Sequence, residues 1–490
     1  MKGKELLPET PYQEIVAEIW GRVLKHKQFG IEDDFFDVGG TSLGAINVIS
    51  ELSENFELDI DDVFTAMTVR HIAECLRENQ EAMKQKLKDI LHFKDLKEIS
   101  DIELERYRSA FAGQNRIKPD FNKYHQVLLL GGTGFLGIYL LKQLLVQTDA
   151  VITVLVRRHW NAAERLKKQY EYYFGDGSYV QYQDRVQIVY GDLTKKCMGI
   201  SEDLYGVLAQ SIDAVVNSAA LVKHMGKSDD FVSVNVKTVE TVLEFASTGC
   251  KKAVHHMSTI GIAYGEQGEH AKTLFTEYDE LVEHPLNNQY LSSKYQAEQR
   301  LIRARTGGIE STVYRMSGIL FDSQTGKYQQ NMEQSTAYIF YRALYRLGIV
   351  PEEIKRPMDI SNVDMISEAI IRLMFSNQEI NQIHHVINPN ALSIGEILKL
   401  MRGKNTAVSL KEMSVDEVFT YYQKTHPSKR EHFYELAFHC EIISWIGKNQ
   451  YNICMEKTVN VLEQLGMAWN TPDAAMVERA CDQAKKEGFC

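Results

Sequence analysis

No Cys-x-x-Cys pair occurs anywhere in this chain, and its seven cysteines (Cys75, Cys197, Cys250, Cys440, Cys454, Cys481 and Cys490) are odd in number and scattered. That spacing suggests neither a zinc cage nor a disulfide framework, and it predicts reduced thiols and a cytoplasmic setting. No apolar run is long enough to span a bilayer, and no basic stretch leads into the apolar core of a secretion signal. Excess positive charge is missing too: the formal net charge is -11, which argues against nucleic acid as a partner. The pattern Gly-x-Ser-x-Gly occurs once, at Gly40-Thr41-Ser42-Leu43-Gly44, but no continuous apolar strand leads into it as in a hydrolytic elbow, so no hydrolytic serine of that type is expected. What remains is a globular chain of 490 residues, 44% of them apolar. That length corresponds to roughly three domains.

The run Asp34-Phe35-Phe36-Asp37-Val38-Gly39-Gly40-Thr41-Ser42-Leu43 delivers a serine hydroxyl into the first turn of a helix. Unpaired N–H groups and the positive helix end there can receive a phosphodiester, so Ser42 is the candidate attachment point for 4′-phosphopantetheine. Apolar residues at helical spacing flank it, with Ile15, Ile19, Trp20 and Val23 before and Ile46, Val48 and Ile49 after. Four helices are predicted in this small all-α domain, residues 1–79. A linker at 80–124 follows, in which Leu87, Ile90, Leu91 and Phe93 predict a short helical connector.

Beyond it, apolar β-like runs alternate with helical stretches, the pattern of a doubly wound parallel sheet. The strand 126–130 leads into Gly131-Gly132-Thr133-Gly134-Phe135-Leu136-Gly137 and then a helix from Ile138 to about Val146. Glycines at this spacing between strand and helix make a dinucleotide turn. The next strand, 151–156, ends in Arg157-Arg158 where an acidic residue would bind a ribose 2′-hydroxyl. Guanidinium groups pair with a 2′-phosphate, so Arg157, with Arg158 and Arg165 as further candidates, points to NADPH. Asp192 and Leu193 end the third strand beside the adenine position, and Asn217 ends the fourth.

The fifth strand delivers Ser258 and Thr259 to the carboxyl edge of the sheet, where such folds bind ligands. Tyr290 and Lys294 follow, one turn apart on one helical face. A phenol beside a cation is brought closer to use as a proton donor, and the ammonium can also hold ribose hydroxyls. Thr259 would orient a substrate carbonyl. His255 and His256, on the same strand, read as packing or hydrogen-bonding residues.

Residues 8–79 resemble the thiolation (peptidyl carrier) domain of nonribosomal peptide synthetases. From about 124 to 390 the chain looks like an extended short-chain dehydrogenase/reductase, and in particular like the thioester reductase domain that ends some synthetases, carboxylic acid reductases and aminoadipate reductases. The motifs carrying this are Gly131 to Gly137, Val156-Arg157, Gly191-Asp192-Leu193, Ser258-Thr259-Ile260-Gly261, Tyr290 with Lys294, Val313-Tyr314-Arg315, and Asp359 to Asp364. The chain departs from the family in having Arg315-Met316-Ser317-Gly318 after the sixth strand and Asn217-Ser218-Ala219-Ala220 at the fourth.

The resemblance implies a catalytic triad of Thr259, Tyr290 and Lys294, with Ser258 as an alternative to Thr259. It implies a Rossmann-type NADP-binding domain at 125–320 and a smaller, mostly helical substrate-binding region at 321–490, with elements at about 355–390 returning to the sheet. The implied activity is NADPH-dependent reductive release of an acyl or peptidyl thioester as an aldehyde, or further as an alcohol. Implied partners are upstream adenylation and condensation domains and a phosphopantetheinyl transferase; no adenylation domain occurs in this stretch, so loading falls to a partner or to a longer chain. A carboxylic acid or aminoadipate reductase segment, a redox-silent cyclase and a non-enzymatic carrier module are the alternative readings.

Overall fold

The structure is a computed structural model that describes residues 7–53, 56–58, 60–78, 80–113, 117–157, 161–220, 232–265, 267–268, 272–282, 284–286, 288–332, 335–378, 380–403, 409–425 and 430–488. Two compact units emerge. One comprises Met1–Phe93, Tyr338–Ile354 and Val408–Gly447, the other Lys94–Ala337, Lys355–Ala407 and Lys448–Cys490.

In the first unit, helices α1 (Pro11–Leu24), α2 (Ser42–Ser53), α3 (Ile60–Thr65) and α4 (Val69–Cys75) form the small domain, and α5 (Gln80–Leu91) follows. Pro11 opens α1, where its missing N–H is no loss, and the Thr10 hydroxyl accepts from Gln13 N at 3.3 Å. Val16, Trp20, Phe35, Val48, Leu52 and Ile72 fill the core, with the Trp20 and Phe35 rings 4.9 Å apart. The residue range expected to form one C-terminal region does not stay together. Helices at Val415–Lys424 and Glu431–His439 belong to this first unit. They bury Phe419, Tyr422, Phe433 and Leu436, and they meet the earlier helices through Tyr12 and Tyr434 hydroxyls 2.7 Å apart and a Lys84–Asp416 ion pair at 2.9 Å. Amphipathic faces seeking cover override chain order here.

The second unit is built on a seven-stranded, all-parallel sheet. Its strands in chain order are β1 (Gln126–Leu130), β2 (Val151–Val156), β3 (Val186–Tyr190), β4 (Ala214–Asn217), β5 (Ala253–Thr259), β6 (Glu310–Met316) and β7 (Ile383–Val386). Their spatial order is β3-β2-β1-β4-β5-β6-β7, so the chain reverses direction of travel at β1. Ligands of doubly wound folds bind at the carboxyl ends of the strands beside that reversal.

Alternate residues of each strand face opposite layers, which is why the strands read as continuous apolar runs. Val127, Leu129, Ile152 and Val154 join one core with the helices Phe135–Gln147, Ala162–Phe174 and Val363–Met374. Leu128, Leu130, Val215, Val254 and Val313 join another with Glu202–Ser211, Lys237–Ala246 and Gln289–Ala304. The expected connector contains the helix Asp101–Phe111, started by the Ser100 hydroxyl accepting from Glu103 N. Its Tyr107 donates to the buried Glu277 at 2.8 Å.

Candidate active site

The turn after β1 is shaped for close approach. Gly131 has φ +79°, and a Cβ there would lie 2.7 Å from Ala219 N at the end of β4. A Cβ on Gly137 would lie 2.0 Å from the Gly131 carbonyl oxygen. Only glycine satisfies both positions. The following helix, Phe135–Gln147, starts three residues earlier than expected because Gly134 is its N-cap, and no side chain bonds the cap. Its first N–H groups therefore point out of a glycine cradle, an arrangement that fits a pyrophosphate. Thr133 is half-buried; the Phe135 ring packs on Tyr139, Tyr173 and Tyr328, and Leu136 packs on the same core, so their side chains serve the scaffold.

At the far end of β2, Arg157 is exposed, Arg165 is exposed on its helix, and Arg158 lies outside the described residues. Asp192 accepts from Thr194 N at 3.0 Å and Thr194 Oγ1 at 2.7 Å, and these bonds, with Lys195 and Arg157 adding to them, hold its carboxyl below the usual range. Leu193 packs on the neighbouring core. The backbone just beyond is a left-handed turn: Cys197, Met198 and Gly199 have φ of 50°, 55° and 66°, fixed by Asp192 N donating to Met198 O at 2.6 Å. Sequence reading missed it, since two of its three residues are not glycine.

The carboxyl end of β5 gathers the candidate groups. The helix Gln289–Ala304 is started by the Asn288 side chain accepting from Leu291 N at 3.0 Å, and it presents Tyr290 and Lys294 one turn apart. Lys294 is buried and its Nζ donates to Met257 O at 2.6 Å, two residues before Thr259. Burial drives the Lys294 ammonium down to about 8, with Glu298 opposing, and pushes the Tyr290 phenol up to about 12. Desolvation alone sets the direction for the phenol, and the expected lowering by its lysine does not occur.

The two candidate hydroxyls differ in their commitments. Ser258 is buried and donates to Glu298, whereas Thr259 is half-buried and its Oγ1 accepts from Gly261 N at 3.0 Å, leaving its own proton to give. Glu298 in turn accepts from Arg315 Nε at 3.1 Å and from Nη2 at 2.8 Å, both side chains fully buried. Arg315 and Ser258 are register partners on adjacent strands. Sequence reading gave Glu298 no role; a carboxylate on the buried face of an amphipathic helix was the available signal.

Asn217 is buried. Its Oδ1 accepts from Ala219 N at 3.2 Å, and its Nδ2 lies 3.2 Å from Nδ1 of His256, its register partner on β5. His256 Nε2 is 3.5 Å from Lys294 Nζ. The glycine turn, the end of β4 and the Tyr290–Lys294 helix are therefore tied together by direct contacts.

In the first unit Ser42 is exposed at the first position of α2. Capping falls to its neighbour: the Thr41 hydroxyl accepts from Gly44 N at 3.1 Å, and Thr41 O accepts from Ala45 N at 2.8 Å. An uncommitted position on a helix start fits a phosphodiester-linked arm. Among the described residues no helix is long and apolar enough to cross a membrane.

Comparison with known proteins agrees with this architecture. Residues 14–76 match the phosphopantetheine attachment site family, and residues 129–370 match the NAD-binding domain family described as male sterility protein. A linear gramicidin synthase component of Brevibacillus parabrevis is 28% identical over 416 residues, covering 84% of this chain and 8% of that protein. Carboxylic acid reductase of Mycobacterium tuberculosis is 26% identical over 396 residues, covering 74% of this chain and 33% of its own length. The chain thus spans a third or less of these relatives. In fold it is similar to a thiolation-reductase di-domain from an archaeal non-ribosomal peptide synthetase, with a TM-score of 0.69 at 24% identity over 99% of this chain and 100% of that one. By these matches the chain is similar, at residues 14–76, to a phosphopantetheine attachment domain and, at residues 129–370, to the NAD-binding domain described as male sterility protein.

Proposed function

We propose that this protein reduces an acyl or peptidyl thioester carried on Ser42, releasing it as an aldehyde. The observation that carries this reading is the contact path from Gly131 through Ala219, Asn217 and His256 to Lys294, which sets the glycine cradle beside the Tyr290–Lys294 helix. When bound, the phosphopantetheine arm supplies the thiol that carries the acyl group and the nicotinamide supplies hydride to its carbonyl carbon.

The chain's own residues do the rest. Thr259, whose oxygen is held by Gly261 N, directs its proton at the substrate carbonyl. Tyr290 stays protonated at neutral pH and meets the charge that develops on that oxygen. Lys294 holds the ribose hydroxyls and restores the proton. Arg157 favours the 2′-phosphate of NADPH, with Arg165 at the rim, and Asp192 and Leu193 border the adenine. Upstream adenylation and condensation domains and a phosphopantetheinyl transferase complete the working context. A cytoplasmic setting belongs to this reading, in keeping with the free cysteines.

The test is to load Ser42 with an acyl-phosphopantetheine arm and add NADPH. One aldehyde formed per NADPH oxidised supports the reading; release of the acid, or NADPH left unconsumed, overturns it.

A further inference from the structure

Buried beneath the proposed reaction centre is a directional chain of hydrogen bonds. Ala219 N–H can only donate, so the Asn217 oxygen must face it, and the Asn217 amide N–H₂ must face His256 Nδ1. Nδ1 is then an acceptor. His256 is fully buried and stays neutral, burial and the neighbouring lysine both disfavouring its charged form, so its single proton sits on Nε2. That N–H points at Lys294 Nζ, 3.5 Å away. An amine there can accept it through its lone pair while still donating to Met257 O. An ammonium has no lone pair, and it would set N–H against N–H.

We infer that His256 is a positioning residue whose tautomer, fixed by Asn217, keeps Lys294 ready to give up its proton. The inference rests on the proposed role of Lys294 and goes beyond it, because neither Asn217 nor His256 then needs to touch substrate. Protonating Lys294 fully would require the relay to invert, with His256 taking its proton to Nδ1 and the Asn217 amide turning away from Ala219.

Two titratable groups on the same helix bear on Lys294. Glu298, one turn further along the helix, favours the ammonium, but its charge is shared with Arg315 on β6 and with the Ser258 hydroxyl on β5. Tyr290, one turn earlier, is uncharged over the working range. Each hydride transfer to a carbonyl consumes one proton, and a lysine that titrates near neutrality supplies it where an ordinary one would hold it.

The test reads cofactor binding, not turnover. NADPH affinity is measured by fluorescence titration from pH 6 to 10 in the parent, Asn217→Leu, His256→Phe, the double variant and Lys294→Met. In the parent, affinity should fall as pH rises through about 8, where the ammonium is lost. In Asn217→Leu, His256 is free to turn a lone pair toward Lys294, so the fall should move up by about one pH unit, the scale of one net hydrogen bond. In the His256→Phe background, Asn217→Leu should move nothing. A fall left in place by Asn217→Leu, or moved equally in both backgrounds, overturns the relay. A fall that persists in Lys294→Met overturns the role of Lys294 itself, which separates the two failures. Should Asn217→Leu not fold, Asn217→Ala removes the same donor and is read by the same criteria.

Discussion

Lys294 stands one helical turn beyond Tyr290, and burial drives the two toward neutrality from opposite sides, the phenol up to about 12 and the ammonium down to about 8. The helix therefore presents a phenol that keeps its proton at physiological pH beside an amine that exchanges one there. Desolvation, more than the pairing of cation and phenol, sets both.

Turnover should accordingly be lost as pH rises through about 8. The sign follows from the lysine: its charged form persists below that value and disappears above it. Lys294→Arg, whose charge does not titrate in this range, should flatten that limb wherever activity survives. Single-turnover NADPH oxidation against pH checks this.

Ser42 should be the only site that accepts a phosphopantetheine arm. Treating the apo protein with a phosphopantetheinyl transferase and coenzyme A should add one arm, located by peptide mass spectrometry, and Ser42→Ala should accept none. The neighbouring Thr41 should stay unmodified, because its hydroxyl is engaged as the helix cap.

Arg157→Ala should weaken NADPH binding by roughly tenfold or more while leaving NADH little changed, since charge-assisted bonds contribute about 1.5–3 kcal/mol each. Paired titrations with the two cofactors measure the ratio; an unchanged preference would remove Arg157 from the 2′-phosphate.

Glu298→Ala should destabilise the second unit by about 3–5 kcal/mol, because it leaves the fully buried Arg315 without its carboxylate. Replacing both, as Glu298→Leu with Arg315→Met, should recover most of that loss. Urea unfolding followed by tyrosine and tryptophan fluorescence compares the three.

Much of this arrangement was legible in the sequence because it is local. A strand, a glycine-spaced turn and a helix follow one another between 126 and 147, and Tyr290 and Lys294 share a face by spacing alone. The parts that were not legible depend on partners far apart in the chain. His256 reads as a core histidine until strand register sets it against Asn217, and Glu298 reads as a helix carboxylate until β6 brings Arg315 to it. The left-handed turn at Cys197 and Met198 defies local preference and is held by Asp192. The placing of 408–447 with the first unit follows from which apolar faces find cover, and no motif announces that.

The most direct test of the account is Tyr290→Phe, read in two ways on protein loaded with an acyl thioester at Ser42. Its phenol is assigned to charge that develops only as hydride arrives, so single-turnover aldehyde formation should slow by about 100- to 10,000-fold, the usual range for a general acid. NADPH affinity, measured by fluorescence titration on the same variant, should stay close to that of the parent. Near-parental aldehyde formation in Tyr290→Phe would contradict the account, because the proton would then come from elsewhere.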